Sequence, residues 1–241
     1  ELLQAEVAAA GADLGIGFDG DGDRIGVIDR KGRQVPGDLL TAFLAKDVAA
    51  RHPGAPILLD VKSSEAALRL VESAGAAAQI WKTGHSHMKK RMKELEAPLA
   101  GEMSGHIFIA DNYLGFDDAI YAAVRVITQM VKGGQSITEF MDSLPEQHAT
   151  PELRIDCPDT VKFDSMEKIR AHVLSGHDAA DVNSIDGVRV RSGDGWWLIR
   201  ASNTEAALVA RAEAADRTAL DRLLGDIETT LAAAGLDWKR P

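Results

Sequence analysis

Ile57-Leu58-Leu59-Asp60 is a short apolar run ending on a carboxylate, followed at once by Val61-Lys62 and by Ser63-Ser64-Glu65. The first four residues predict a buried strand. The serines and Glu65 predict a capped helix running to about Ala74, closed by Gly75, and Ala78 to Trp81 predicts the next strand. Strand, helix, strand in this order is the βαβ signature of an α/β domain. Outward from it, Leu39 to Ala50 has helical spacing stopped by His52-Pro53-Gly54, and Pro36-Gly37-Asp38 reads as a linker and helix start. Strands are predicted at 13–18 and 25–28, with a turn at Lys31-Gly32, and a helix at 2–10 ended by Gly11. On the other side come a basic helix from His87 to Leu95, strand pieces at 99–100 and 106–110, and an amphipathic helix from Asp117 to Val131. Lys89, Lys90, Arg91 and Lys93 read as its predecessor's solvated face.

A boundary is predicted between Leu144-Pro145 and Pro151, after which the pattern changes. Val188-Arg189-Val190-Arg191, a Gly193-Asp194-Gly195 turn and Trp196 to Ile199 form a hairpin, followed by a strand at 208–212 and a helix at 219–233. The predicted class is a mixed-sheet α/β domain followed by a small α+β C-terminal domain. The expected divisions are 1–34, 35–147 and 150–241.

The 241 residues are 45% apolar, enough for ordinary cores, and carry a net charge of −10, which argues against general nucleic-acid binding. A lone cysteine, Cys157, permits no intrachain disulfide and fits a reducing compartment, so a cytoplasmic location is expected. No apolar run is long enough to span a membrane, and no membrane contact is expected from this segment. The chain opens on Glu1 and enters almost directly into what reads as the last strands of a domain, so it is expected to be the C-terminal part of a larger protein.

The densest chemistry lies in Gly17-Phe18-Asp19-Gly20-Asp21-Gly22-Asp23-Arg24-Ile25-Gly26. Three carboxylates at alternate positions share one side of an extended segment, and the glycines let the backbone curl so that they converge. Three such anions repel one another unless a cation sits between them, and hard oxygen ligands suit magnesium, calcium or manganese. Arg24 adds a positive group that would favour a phosphorylated ligand. The plain alternative is an acidic surface turn. A calcium EF-hand is rejected, because positions six and twelve from Asp19 hold Arg24 and Arg30 rather than Gly and Glu.

Arg200-Ala201-Ser202-Asn203-Thr204-Glu205 gathers a guanidinium, two hydroxyls and an amide, a composition for an anion clamp or for a helix-capping turn. Gly101-Glu102-Met103-Ser104-Gly105-His106 spaces a carboxylate, a hydroxyl and an imidazole two residues apart between glycines, suited to vicinal sugar hydroxyls or to a strand-end bulge. Lys62 and His85, within Lys82-Thr83-Gly84-His85-Ser86-His87, are weaker signals, each readable as an ordinary solvated side chain.

Together and in this order, the three loops resemble those of the α-D-phosphohexomutases of the bacterial phosphomannomutase/phosphoglucomutase type. The resemblance implies four domains around a cleft, of which this chain would hold the end of the second, the third and the fourth. It implies magnesium on Asp19, Asp21 and Asp23 and sugar binding by Glu102 and Ser104, with His106 in the same loop. It also implies phosphate binding by Arg200, Ser202, Asn203 and Thr204, and catalytic roles for Arg24, Lys62 and His85. The implied reaction interconverts hexose 1- and 6-phosphates of mannose or glucose through a bisphosphorylated sugar, with glucose 1,6-bisphosphate as activator. Met103 points to the mannose/glucose enzymes, since glucosamine mutases usually carry Gln there. Two departures stand out: Ala206 replaces a common proline, and the family's Thr-Ala-Ser-His-Asn phosphoserine loop has no counterpart. Two other readings stay open. One is a haloacid-dehalogenase-type phosphatase, against which stand Asp23 where that family has Thr or Val, four residues after Asp19, and the lack of its later Gly-Asp-x-x-x-Asp motif. The other is a non-catalytic sugar-phosphate-binding fragment.

Overall fold

The computed structural model describes residues 1–240, which divide into two compact units, 1–144 and 145–240. The first opens with helix α1 (Leu2–Ala10), ended by Gly11 in the left-handed conformation. Strands β1 (Leu14–Phe18), β2 (Ile25–Asp29) and β3 (Gln34–Val35) follow as an antiparallel sheet in that order. Then come α2 (Gly37–Arg51), β4 (Pro56–Asp60), α3 (Glu65–Ser73), β5 (Ala77–Trp81), α4 (His85–Leu95), β6 (Leu99–Gly101), β7 (Ile107–Ile109), α5 (Ala119–Gly133) and α6 (Ile137–Asp142).

The second sheet has the order β5-β4-β6-β7, with β4 parallel to both neighbours and β7 antiparallel to β6. Alternation along β4 assigns its two faces. Ile57 and Leu59 join the core with Leu40, Phe43 and Leu44 of α2, Val126 of α5 and Phe140 of α6, whereas Leu58 packs with Met88 and Met92 of α4 and with Phe108. The result is a helix–sheet–helix sandwich. Ile25 and Val27 of β2 belong to the same core as α2, so residues before 35 are not packed as a separate body. Helix α3 starts as its sequence predicts, with Ser64 Oγ accepting from the Ala67 amide at 3.0 Å. Helix α5 buries Ala119, Ala122, Ala123 and Val126, yet Ile120, Val124, Ile127 and Val131 on its outer side stay exposed.

The second unit has strands β8 (His148–Ala149), β9 (Leu153–Asp156), β10 (Val182–Asn183), β11 (Val188–Ser192), β12 (Gly195–Ala201) and β13 (Ala207–Ala214), with helices α7 (Asp159–Gly176) and α8 (Arg217–Ala233). All its pairings are antiparallel, in the order β10-β11-β12-β13, with β8 and β9 both on β13. Val188, Val190, Trp197, Ile199, Leu208 and Ala210 share a core with Ile169 and Val173 of α7 and Leu223, Ile227 and Leu231 of α8. No helix among the described residues is long and apolar enough to cross a membrane.

Candidate functional site

In the first unit, three parallel strands end side by side, and their carboxyl ends deliver the predicted side chains. Lys62 follows β4, Thr83 to His85 follow β5, and Glu102 to Ser104 follow β6. Beside β4 the strand order reverses, which is where open α/β sheets place ligands. Asp60, fully buried at the end of β4, ties these ends together. It accepts from Ser63 Oγ at 2.7 Å, Thr83 Oγ1 at 3.1 Å and the Met103 amide at 3.1 Å, with Lys62 Nζ 4.0 Å away.

Glu102 is 3% exposed and accepts from the Gly84 amide at 2.8 Å and from Ser104 Oγ at 3.2 Å. Burial pushes its carboxyl above the usual range, and the charge of Asp60 adds to this, while Gly84, His106 and Lys62 oppose it. The turn that carries it is closely packed. A side chain at Gly105, where φ is +99°, would put Cβ 2.5 Å from the Ile25 carbonyl oxygen, and one at Gly37 would meet the Glu102 carbonyl at 2.2 Å.

That packing joins the sugar-type loop to the acidic loop. Arg24 and His106 form an antiparallel bridge, and the Ile25 amide donates to the Gly105 carbonyl at 3.1 Å. The α5 amide of Ala119 donates to the Gly22 carbonyl at 3.1 Å, bringing the start of α5 to the same place. Within the acidic loop, oxygens of Asp19, Asp21 and Asp23 lie within 4.8 Å of one another. Arg24 Nε donates to Asp19 at 2.6 Å and lies 3.8 Å from Asp23. This hydrogen bond lowers the Asp19 pKa to about 2. Asp23 moves the other way, raised first by burial and then by its fellow carboxylates Asp21 and Asp19, against the pull of His106. Oδ1 of Asp23 is shut off from solvent with no hydrogen-bond partner among the described residues. A shielded carboxylate oxygen without a donor, facing two more carboxylates, is the donor set a hard divalent cation fits.

His85 and His106 come together as well, their rings stacked with centroids 6.1 Å apart. Between them stands Asp117, which no sequence signal singled out because Asp before a helix is an ordinary cap. The true cap is Asp118, accepting from the Tyr121 amide at 2.8 Å. Asp117 instead accepts from Lys89 at 2.9 Å and from His106 Nδ1 at 3.1 Å. Burial works to raise its pKa, but Lys89 and His106 hold it below the usual range. Lys89 therefore departs from the solvated face expected of α4: one turn after His85, it points at this site. Although Asp23, His106 and Asp117 have ligand atoms within 4.8 Å of one another, the Lys89 ammonium already supplies Asp117 with a cation.

The second unit holds the other predicted loop. Arg200 differs from the open donor its sequence predicts: it is 5% exposed, and its Nε donates to Asp186 at 3.0 Å. A guanidinium this buried needs a carboxylate beside it. Ser202 Oγ is turned inward and accepts from the amides of Thr204 at 3.4 Å and Glu205 at 3.2 Å, while Asn203 and Thr204 are exposed. Beneath the loop the buried Lys162 donates to the carbonyls of Ser202 at 3.0 Å and Glu205 at 2.9 Å.

Residues 36–148 match the family described as phosphoglucomutase/phosphomannomutase, alpha/beta/alpha domain III, and residues 152–230 match its C-terminal domain. A phosphomannomutase/phosphoglucomutase of Pseudomonas putida is 44% identical over 96% of this chain and 50% of its own length. A phosphoglucomutase of Neisseria gonorrhoeae is 38% identical over 92% of this chain and 49% of its own. The crystal structure of a phosphoglucomutase/phosphomannomutase family protein from Burkholderia thailandensis superimposes with a TM-score of 0.89 at 37% identity, over 98% of this chain and 50% of that one. The chain spans about half the length of the curated relatives it matches. With both domain matches in sequence and a solved structure superimposing over nearly every residue, the chain belongs to the phosphoglucomutase/phosphomannomutase family and carries its third and C-terminal domains.

Proposed function

We propose that this chain supplies the metal, sugar and phosphate sites of a magnesium-dependent mutase that interconverts hexose 1- and 6-phosphates of mannose or glucose through a bisphosphorylated sugar. The donor phosphoserine would lie in the part of its relatives' length that this chain does not span. The observation that carries the reading is the junction of the two loops: three converging carboxylates, one with a buried oxygen that accepts no hydrogen bond, joined through the Arg24–His106 bridge to Glu102 and Ser104. Asp19, Asp21 and Asp23 would hold magnesium, which when bound offsets charge on a transferring phosphoryl group. Arg24 keeps Asp19 ionised and ready to ligate. Glu102 and Ser104 accept and donate hydrogen bonds to sugar hydroxyls, and His106 contacts the same sugar. Lys62 and His85 handle protons or touch the sugar. Arg200, oriented by Asp186, would hold with Ser202, Asn203 and Thr204 the phosphate that is not transferring. Glucose 1,6-bisphosphate would act as the activator.

Magnesium titration by calorimetry tests the metal assignment. Asp21→Asn is expected to weaken binding by about tenfold or more, since loss of even an outer-shell partner of a metal ligand costs that much. Equal affinity in both proteins would remove the site. For the reaction, the mutase completed with its N-terminal half should interconvert glucose 1- and 6-phosphate. Release of inorganic phosphate through a phosphorylated Asp19 would instead establish the phosphatase reading.

A further inference from the structure

The buried Asp117 pairs with Lys89, whose side chain is 35% exposed, and two imidazoles also contact the pair. The Asp117 side chain is 5% exposed; Oδ1 takes the Lys89 ammonium at 2.9 Å, and Oδ2 faces His106 Nδ1 at 3.1 Å. The same ammonium lies 3.2 Å from His85 Nδ1. An ammonium has donors and no lone pair, so His85 Nδ1 must accept, and the ring's proton sits on Nε2. A carboxylate has lone pairs and no donor, so His106 Nδ1 must donate, which in the neutral ring leaves Nε2 with the lone pair. Two further contacts do not change these roles. Asp23 Oδ2, 3.7 Å from His106 Nδ1, is another acceptor, and Asp117 Oδ2 lies 3.7 Å from His85 Nδ1, beyond hydrogen-bonding reach.

We infer that Asp117 and Lys89 are positioning residues that hold His85 and His106 in opposite tautomers, so that stacked rings present one donor and one acceptor to the ligand. Two identical side chains thereby acquire different roles from one ion pair. A hydroxyl bound between them can donate to His106 Nε2 while accepting from His85 Nε2–H. This consequence rests on the sugar-phosphate reading above, whereas the tautomers themselves do not.

The test is long-range proton–nitrogen NMR on this chain labelled at histidine, above the range in which imidazole titrates. In the wild type, the protonated nitrogen is expected to be Nδ1 in His106 and Nε2 in His85. In Asp117→Asn, Lys89 can bond only the amide oxygen, so the amide NH₂ is left facing His106, whose proton should move to Nε2. In Lys89→Met, which keeps Asp117, His85 should lose its preference for the Nε2 proton while His106 keeps its proton on Nδ1. The same tautomer in both wild-type rings, or rings indifferent to both substitutions, would overturn the inference. In the completed mutase, Asp117→Asn should lower kcat by about tenfold or more with KM little changed. In a His106→Gln background the same substitution should add less than about twofold, since its effect runs through that ring. Full kcat in Asp117→Asn, or an undiminished loss in the His106→Gln background, would refute the positioning role. An inactive wild-type mutase would refute the functional reading alone and leave the NMR result standing.

Discussion

A carboxyl buried beside another carboxyl destabilises the protein that carries it. Glu102 is in that position: burial and Asp60 raise its pKa above the usual 4.5. The sign follows from linkage. A raised folded-state pKa contributes stability that is present below the unfolded value and is lost as pH rises through the folded value. Toward neutral pH Glu102 is therefore a liability. Glu102→Gln keeps an acceptor for Gly84 and removes the charge. It should raise Tm at pH 7 by about 2–4 °C, equivalent to about 1 kcal/mol, while weakening sugar binding. Near pH 4 the stability gain should vanish. Scanning calorimetry at both pH values decides this, and a Tm that falls at pH 7 would count against the argument.

At the scale of elements, the junction between the acidic loop and the Glu102 turn is a backbone feature, and two glycines separate its causes. Gly105 combines φ of +99° with a backbone oxygen 2.5 Å from where Cβ would sit. Gly22 has φ of +74° and open space around it. Gly22→Ala should cost about 1–2 kcal/mol from the left-handed backbone alone. Gly105→Ala must also push the Ile25 carbonyl away, so it should cost clearly more, in the range of about 3–5 kcal/mol. Chemical denaturation measures both, and equal losses would mean that the contact is not tight. In the second unit, Lys162 is the element-level support of the Ser202–Glu205 turn. Lys162→Met preserves the stem but removes the donor to two carbonyls, so a loss of about 1.5–3 kcal/mol is expected. Amide exchange confined to residues 202–205 should accelerate most, and uniform acceleration over the unit would contradict the local role.

For the whole molecule, the division after Leu144 has a thermodynamic consequence. Each unit has its own core, built around Phe43, Ile57 and Leu59 in the first and around Trp197, Ile169 and Leu223 in the second. Residues 145–241 expressed alone should therefore fold and unfold cooperatively, with dispersed NMR signals. A fragment without dispersed signals would show that its core depends on the rest of the chain. The exposed row Ile120, Val124, Ile127 and Val131 on α5 is the counterpart on the first unit's surface, apolar on the outer side of a helix already apolar on its inner one.

The α/β order was legible in sequence because local signals agreed with one another: apolar runs of strand length, Ser64 and Gly75 bounding α3, and the hairpin around Gly193 to Gly195. No helix was expected over 158–187, and the reason is physical. Helix α7 buries Lys162 and Ser165 beside Met166, Ile169 and Val173, while Val161, Phe163 and Leu174 stay exposed, so its apolar residues do not trace the face it packs with. Strand β9 does alternate, with Leu153 and Ile155 buried, but four residues are a weak signal alone. Within the site, the three loops announced themselves because each concentrates unusual chemistry in five or six consecutive residues. Asp60, Lys89, Asp117, Lys162 and Asp186 did not, since each is a common residue at a common position. Their roles arise where strand ends, a helix turn and a loop distant in sequence converge. Sequence by itself determined which chemical groups the chain concentrates in its loops, because carboxylates, hydroxyls and guanidinium are set by residue type. Only the tertiary structure decided which of them are paired, buried and aimed, because those properties belong to neighbours that the chain brings together by folding.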